Sequence, residues 1–371
     1  MNPALKLFFA MMMIMALIFG YAGIYFPLEQ YDFERLHIFL FNLCTGGTII
    51  LYFTEGTGKL SPRTIIFLVS SLFYAFFAFL NMYPMVIFIS LGLASIVESL
   101  RIERFGILPW NFFSLKESVS AKFHQASLLC LSIGLLMSTV IIINNEYLHV
   151  VTMEKLVLNT FFLGFSFPLS LITLSVIFSM IRQNGTSRTG ILSVICFWTI
   201  NLGVIIFFMF ILFEQFYPQI AVTLALFVAV VTVFVLYVRY GQKMQQKGFL
   251  SSGIGFLIIT AISGIVYILF QMSPGYTHEN TLWLLRLHTF ASLYGWNLCG
   301  LAVICRFRDF PMRMHSGVVI AMHWLTALVL APLGTHYALI SILAVMGYIF
   351  IVFTLFFSKD RRSLNDEYPK A

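Results

Sequence analysis

"RLHIFLFNLCTGGT" (Arg35 to Thr48) and "RLHTFASLYGWNLCGL" (Arg286 to Leu301) write one pattern twice, about 250 residues apart. A chain with 8 histidines places two of them third in these stretches. Neither stretch holds a carboxylate, and both contain Asn-Leu-Cys. Small residues follow each histidine: Gly46 and Gly47 in the first copy, Ala291, Ser292, Gly295 and Gly300 in the second. Such residues let a flat ring or a second helix approach closely. The setting of both copies is apolar. Of 371 residues, 60% are hydrophobic and 10% charged, with a mean hydropathy of +0.93. Soluble domains carry roughly 25% charged residues, so composition selects an integral membrane protein.

Twelve apolar runs are long enough to cross about 30 Å of hydrocarbon as helices. They cover 4–26, 37–54, 65–80, 83–100, 123–143, 156–181, 191–213, 219–238, 250–270, 284–305, 315–335 and 338–357. Lipid offers the backbone no hydrogen bonds, so each run must be an α-helix. The expected fold is all-α, a polytopic membrane bundle of about twelve transmembrane helices forming one domain over 1–371. Only Asn-Met-Tyr-Pro separates the third helix from the fourth. The short loops leave no room for a soluble catalytic domain. The opening "MNPALKLFFAMMMIMALIFGYAG" reads as the first helix, because its apolar run is longer than a signal core and no small-x-small site ends it.

The basic residues orient the bundle. With twelve spans, Arg35, Lys155 and Arg286 fall on one side and the rest of the 22 lysines and arginines on the other. Cytoplasmic loops hold the excess of Lys and Arg. The chain is therefore expected to be a multi-pass plasma (inner) membrane protein with both termini cytoplasmic. The formal charge of +7 is this bias and calls for no nucleic acid. The 5 cysteines lie in apolar runs and form no C-x-x-C or C-x-x-C-H, so they read as packing residues. Glu98 is the one carboxylate well inside a run, and pairing with Arg101 or Arg104 explains it better than a proton relay.

His37 opens the second helix and His288 lies near the start of the tenth, both from the outer side. His336 sits at the outer turn between the last two helices. His149 and His278 fall in outer loops. His124 and His315 open the fifth and eleventh helices from the cytoplasmic side, and His323 lies about 12 Å deeper than His315. Two of three outer basic residues, Arg35 and Arg286, precede His37 and His288 by two positions. Arginine on that face runs against the usual bias, which suggests a buried anion near both histidines. A b-type haem supplies one: its iron takes two imidazoles and its propionates want cations at the membrane surface. Residues two apart on a helix point to nearly opposite sides, so each arginine is expected just outside the helical turn or curled round it.

This layout resembles subunit I of the haem–copper oxidase superfamily, particularly its nitric-oxide-reductase and cbb3-type branch. That family has twelve helices, with a low-spin haem held by histidines of the second and tenth. The resemblance carries His37 and His288 over as axial ligands of a non-covalent haem b, with Arg35 and Arg286 beside it. His323, His336, His124 and His315 are secondary candidates. The departures are specific. The family's tenth helix has His-x-His, and here Arg286 replaces the first histidine. The sixth and seventh helices lack the three copper-binding histidines, so copper is not expected. The glutamates of the proton routes are missing, and "APLGTHYA" replaces a paired-arginine turn. Such a chain keeps an electron-transfer haem and lacks the oxygen- or NO-reducing centre.

The resemblance implies an oxidoreductase-type electron-transfer component of a respiratory complex, without catalytic residues of its own. Its partners would be the lipid bilayer, a redox subunit on the outer side and a quinol. Two other readings stand beside it. A secondary transporter shares the twelve-helix layout, although charged mid-membrane residues that would couple ions are nearly absent. An accessory protein handling haem or copper for an oxidase would use the same histidines with a more exchangeable ligand set.

Overall fold

The structure, a computed structural model, describes residues 1–26, 31–153, 155–156, 164–181, 188–242, 246–307, 310 and 317–358. Among these there is no strand. Eleven helices are long and apolar enough to cross a membrane: α1 Pro3–Tyr25, α2 Phe33–Glu55, α3 Pro62–Phe79, α4 Tyr83–Phe105, α5 Val119–Leu148, α7 Arg188–Leu212, α8 Phe216–Tyr240, α9 Gln246–Gln271, α10 His278–Cys305, α11 Gly317–Gly334 and α12 Ala338–Phe357. A shorter apolar helix, α6 Gly164–Ser179, stands at the sixth expected run. Positions 157–163 of that run, and His315, lie outside the described residues. A polytopic helical membrane bundle is what these elements make.

Helix α1 packs on α2 and α12, α4 on α3 and α5, α5 on α6, α8 on α7 and α9, and α9 on α10. At the centre α2, α6 and α10 touch one another. Every fourth helix is thus central. Burial follows: 78% of the most apolar stretch of α10 is enclosed, against 33% for α8. Helices surrounded by protein need less hydrophobicity than those facing lipid, and α10 is the least apolar of the eleven. Several threonines of the neighbouring α2 and α6 bond within their own helix. Thr48 donates to Cys44 O at 2.6 Å, Thr54 to Ile50 O at 2.7 Å and Thr173 to Leu169 O at 2.8 Å, the back-bonding that lets threonine sit in a helix away from water.

The starts of α2 and α10 decide where the two arginines lie. Helix α2 begins at Phe33, because Asp32 caps it by accepting from Arg35 N at 2.8 Å. Helix α10 begins at His278, six residues before its apolar run, because the Thr277 hydroxyl accepts from Asn280 N at 3.3 Å and Glu279 lies in the first turn. Side-chain oxygens and acidic residues favour helix N-termini. Arg35 and Arg286 consequently lie inside helices, not outside them, and His278 is an exposed first helical residue, not a loop residue. The break between α3 and α4 is real: Asn81 takes φ +56° and Met82 N reaches back to Phe77 O at 2.9 Å. Lys155 pairs with Glu214 at 2.8 Å, and that bond holds the exposed carboxyl below its ordinary range.

Glu98 does pair with Arg101. The Arg101 Nε–H lies 3.0 and 2.9 Å from the two Glu98 oxygens, while Nη1 and Nη2 donate to Gly106 O and Ile107 O at 3.1 and 2.9 Å. Ser132 of α5 donates to the same carboxylate. Arg101 is 4% exposed. Removing one partner of a buried pair leaves the other charge uncompensated. Arg101→Ala is expected to lower stability by about 2–3 kcal/mol, discounted because Glu98 keeps some solvent contact. Denaturant unfolding of the purified protein in detergent measures it, and Glu98→Gln should cost clearly less.

Candidate functional site

Hydrogen-bond accounting fixes which nitrogen of each membrane histidine carries the proton. His37 on α2 is buried, with Nδ1 2.8 Å from Ala16 O of α1 and 2.8 Å from the Tyr294 hydroxyl of α10. A carbonyl only accepts, so Nδ1 holds the proton. Among the described residues its Nε2 makes no hydrogen bond. His288 on α10 has Nδ1 3.3 Å from Ser263 Oγ of α9. The Ser263 proton is already given to Thr260 O at 2.9 Å, so the oxygen accepts from His288 Nδ1–H and Nε2 is again bare. The two rings repeat the arrangement in packing. A Cβ on Gly20 of α1 would lie 3.0 Å from His37 Nδ1, and one on Gly264 of α9 would lie 3.4 Å from His288 Cε1.

The other histidines differ. His323 on α11 is 1% exposed, and its Nε2 lies 2.7 Å from Tyr294 O, so here Nε2 carries the proton and Nδ1 is bare. His124 Nε2 lies 2.8 Å from Thr54 Oγ1, whose proton goes to Ile50 O. Its Nε2 is therefore also protonated. His336 is exposed on the turn before α12. Among the described residues no group of three or more His, Cys, Asp or Glu side chains converges on a point.

Tyr294 is the residue that joins these groups. Its hydroxyl meets His37 and its carbonyl meets His323. Its ring lies 5.4 Å from Phe41, 5.7 Å from Phe290 and 5.0 Å from Tyr348. Among the described residues the Tyr348 hydroxyl is buried without a hydrogen-bond partner, as is Thr326 Oγ1 on α11. No hydrogen bond or ring contact joins His37 to His288 among the described residues. His37 reaches α10 through Tyr294.

A local backbone feature follows the two buried histidines, His37 and His323, and the half-buried His288. His37, His288 and His323 stand two, three and three residues before π-helical segments, at Phe39–Gly47, Ala291–Asn297 and Thr326–Leu330. The wider π turn rotates every later side chain relative to an α-helix, and such bulges concentrate at functional sites. In α2 the Thr45 hydroxyl supports the wide turn by donating to Leu40 O, five residues back, at 2.8 Å.

The two arginines diverge. Arg286 Nη1 donates to Thr335 Oγ1 at 2.9 Å and lies close enough to Glu34 for the two charges to attract. Arg35 pairs with Asp32 at 3.3 Å and lines a cavity of about 70 Å³ among α2, α3, α4 and α5, with Tyr74, Tyr83, Ser138, Asn145 and Glu146. Tyr294, the π segments and the Arg35 cavity are invisible in the apolar pattern of the sequence. Of these only Tyr294 had a signal, as the one phenol inside a histidine stretch. No family model, curated protein or solved structure matches the chain.

Proposed function

We propose that the chain is a membrane-embedded b-type haem protein that transfers electrons within a respiratory membrane complex, with His37 and His288 as its two imidazole ligands. The observation that carries the reading is their matched state. Each imidazole gives its Nδ1 proton to an adjacent helix and keeps Nε2 unbonded. An axial ligand needs an imidazole oriented and held in one tautomer by a bond from its other nitrogen. Each imidazole taken singly is in the state that ligation of a haem iron needs. Bound there, the group would supply one-electron chemistry. The protein's part is to hold both imidazoles, to keep water out with the Tyr21, Phe290 and Tyr294 packing, and to place Arg286 near the surface as a cation for a propionate. The proposal includes plasma-membrane residence, cytoplasmic termini and an outer redox partner.

The test is a reduced-minus-oxidised absorption spectrum of the protein purified in mild detergent from haem-replete cells. A sharp six-coordinate b-type signal at one haem per chain is expected. A folded, colourless protein overturns the reading. Tyr294→Phe is a finer test. It removes one acceptor from His37 Nδ1–H and makes the imidazole a poorer donor to ferric iron. The six-coordinate spectrum should persist while the midpoint potential rises by tens of millivolts, a tenfold affinity ratio being about 59 mV for one electron. An unchanged potential removes Tyr294 from that role.

A transporter is the second reading, favoured by the Arg35 cavity. It places a guanidinium beside the phenols of Tyr74 and Tyr83 and the amide of Asn145, a set suited to a small polar solute. A colourless protein with saturable solute uptake into vesicles would support it.

A further inference from the structure

We propose that Cys299 and His323 form a two-coordinate site for Cu(I), inside the bundle and separate from His37 and His288. Cys299 is fully buried on α10 and His323 is 1% exposed on α11. The Nε2–H of His323 is committed to Tyr294 O at 2.7 Å. Its Nδ1 points at Cys299 Sγ, 4.0 Å away, and has no other partner among the described residues. Metal-bound histidines donate their second ring nitrogen to a carbonyl or carboxylate in just this way. The ring cannot turn aside easily: Phe249 stacks on it at 6.0 Å and Phe256 lies against it at 4.7 Å.

The Nδ1–Sγ separation suits an intervening ion better than a direct bond. Bonds of about 2.0 Å to imidazole and about 2.3 Å to thiolate, the lengths seen for zinc, sum to roughly 4.3 Å. The repeated Asn-Leu-Cys supplies an internal comparison. Its first cysteine, Cys44, donates an ordinary thiol hydrogen bond to Ser71 O at 3.2 Å. Cys299 holds its nitrogen partner at 4.0 Å instead.

Charge and softness choose the metal. Thiolate and imidazole select soft ions, Cu(I) among them. Cu(I) accepts two ligands in a line, whereas structural zinc takes four, and among the described residues no third His, Cys, Asp or Glu side chain converges here. As copper binds, the thiol proton leaves to solvent, so Cu⁺ and S⁻ cancel and the site stays neutral. A divalent ion would leave a net charge in an apolar interior at high cost. No electron is transferred in this step.

The experiment is an anaerobic titration of the full-length protein in detergent with Cu(I) buffered by bicinchoninate, with X-ray absorption at the copper edge. Wild type and Cys44→Ser are expected to take one Cu(I) per chain, bound by one nitrogen and one sulfur. Cys299→Ser and His323→Leu should each bind at least 100-fold more weakly. Wild type that yields all its copper to the chelator overturns the proposal. So does copper held equally by Cys299→Ser, or a coordination shell without sulfur. The wild-type measurements need no variant to fold. Because haem content is read separately from the visible spectrum, failure here leaves the haem reading untouched, and the reverse.

Discussion

Gly134→Ala is expected to destabilise the bundle by about 3 kcal/mol or more, the upper range for forcing atoms into a packed interface. Helices α5 and α6 cross with their backbones in contact. A Cβ on Gly134 would stand 2.2 Å from Gly164 Cα and 2.8 Å from its carbonyl carbon, and a Cβ on Gly164 would stand 2.7 Å from Gly134 Cα. Carbon atoms pack at about 3.5–4.0 Å. The obstacle is backbone on both sides, so no rotamer change relieves it and the helices must part. Parting them loses packing that membrane helices rely on, since lipid gives no hydrophobic drive to hold them together. The bonds from Ser127 to Pro168 O and from Ser120 to Ser175 O, at 2.8 Å each, cross the same interface and would stretch. Gly92 is the control. A Cβ there meets nothing within 4 Å, so Gly92→Ala should be neutral or stabilising by up to about 1 kcal/mol through helix propensity. Chemical unfolding in detergent compares the two. Equal stability of Gly134→Ala and Gly92→Ala would refute the close crossing.

What was legible in the sequence follows from what periodicity and composition encode. Hydrophobic length reports the spans, and the Asn-Met-Tyr-Pro break fell where Asn81 turns the chain. Glu98 and Arg101, three residues apart on one helix, could be paired from spacing alone. The neighbours of a membrane helix cannot be read that way. That α2, α6 and α10 form the centre depends on long-range packing, and the one hint was the low hydrophobicity of α10. The same limit explains the arginines. Two equivalent Arg-Leu-His triplets suggested two equivalent arginines, yet Arg286 faces Thr335 while Arg35 faces the α3–α5 side. Each helix sits in a different ring of neighbours, so identical local sequence meets different partners. The π segments were hidden for another reason. An extra residue in a turn leaves an apolar run apolar, and only the hydrogen-bond ladder reveals it.

His37→Ala and His288→Ala are each expected to abolish the six-coordinate haem signal, the largest functional effect foreseen for a single substitution in this chain. Loss of one imidazole leaves the iron a single protein ligand, and the low-spin spectrum should become high-spin or vanish. Loss of colour alone would not prove ligation, because both side chains also support packing. His37→Ala strands the Tyr294 hydroxyl, at a cost of about 1–3 kcal/mol for an unpaired buried group, while Ala16 O keeps its bond within α1. Two observations separate the roles. Added imidazole should restore a low-spin spectrum to His288→Ala, whose ring is only partly enclosed and leaves a reachable gap. A purely structural loss would not respond to it. His336→Ala and His124→Ala should keep the wild-type spectrum, since one ring is exposed and the other has its Nε2 bound to Thr54. If either control bleaches the protein while His37→Ala or His288→Ala does not, the ligand pair is wrong and the repeated Arg-Leu-His has another purpose. The tautomers argue for the first outcome. Among the described residues His37 and His288 are the two histidines with a bare Nε2 and a tethered Nδ1, while His323 and His124 are tethered through Nε2.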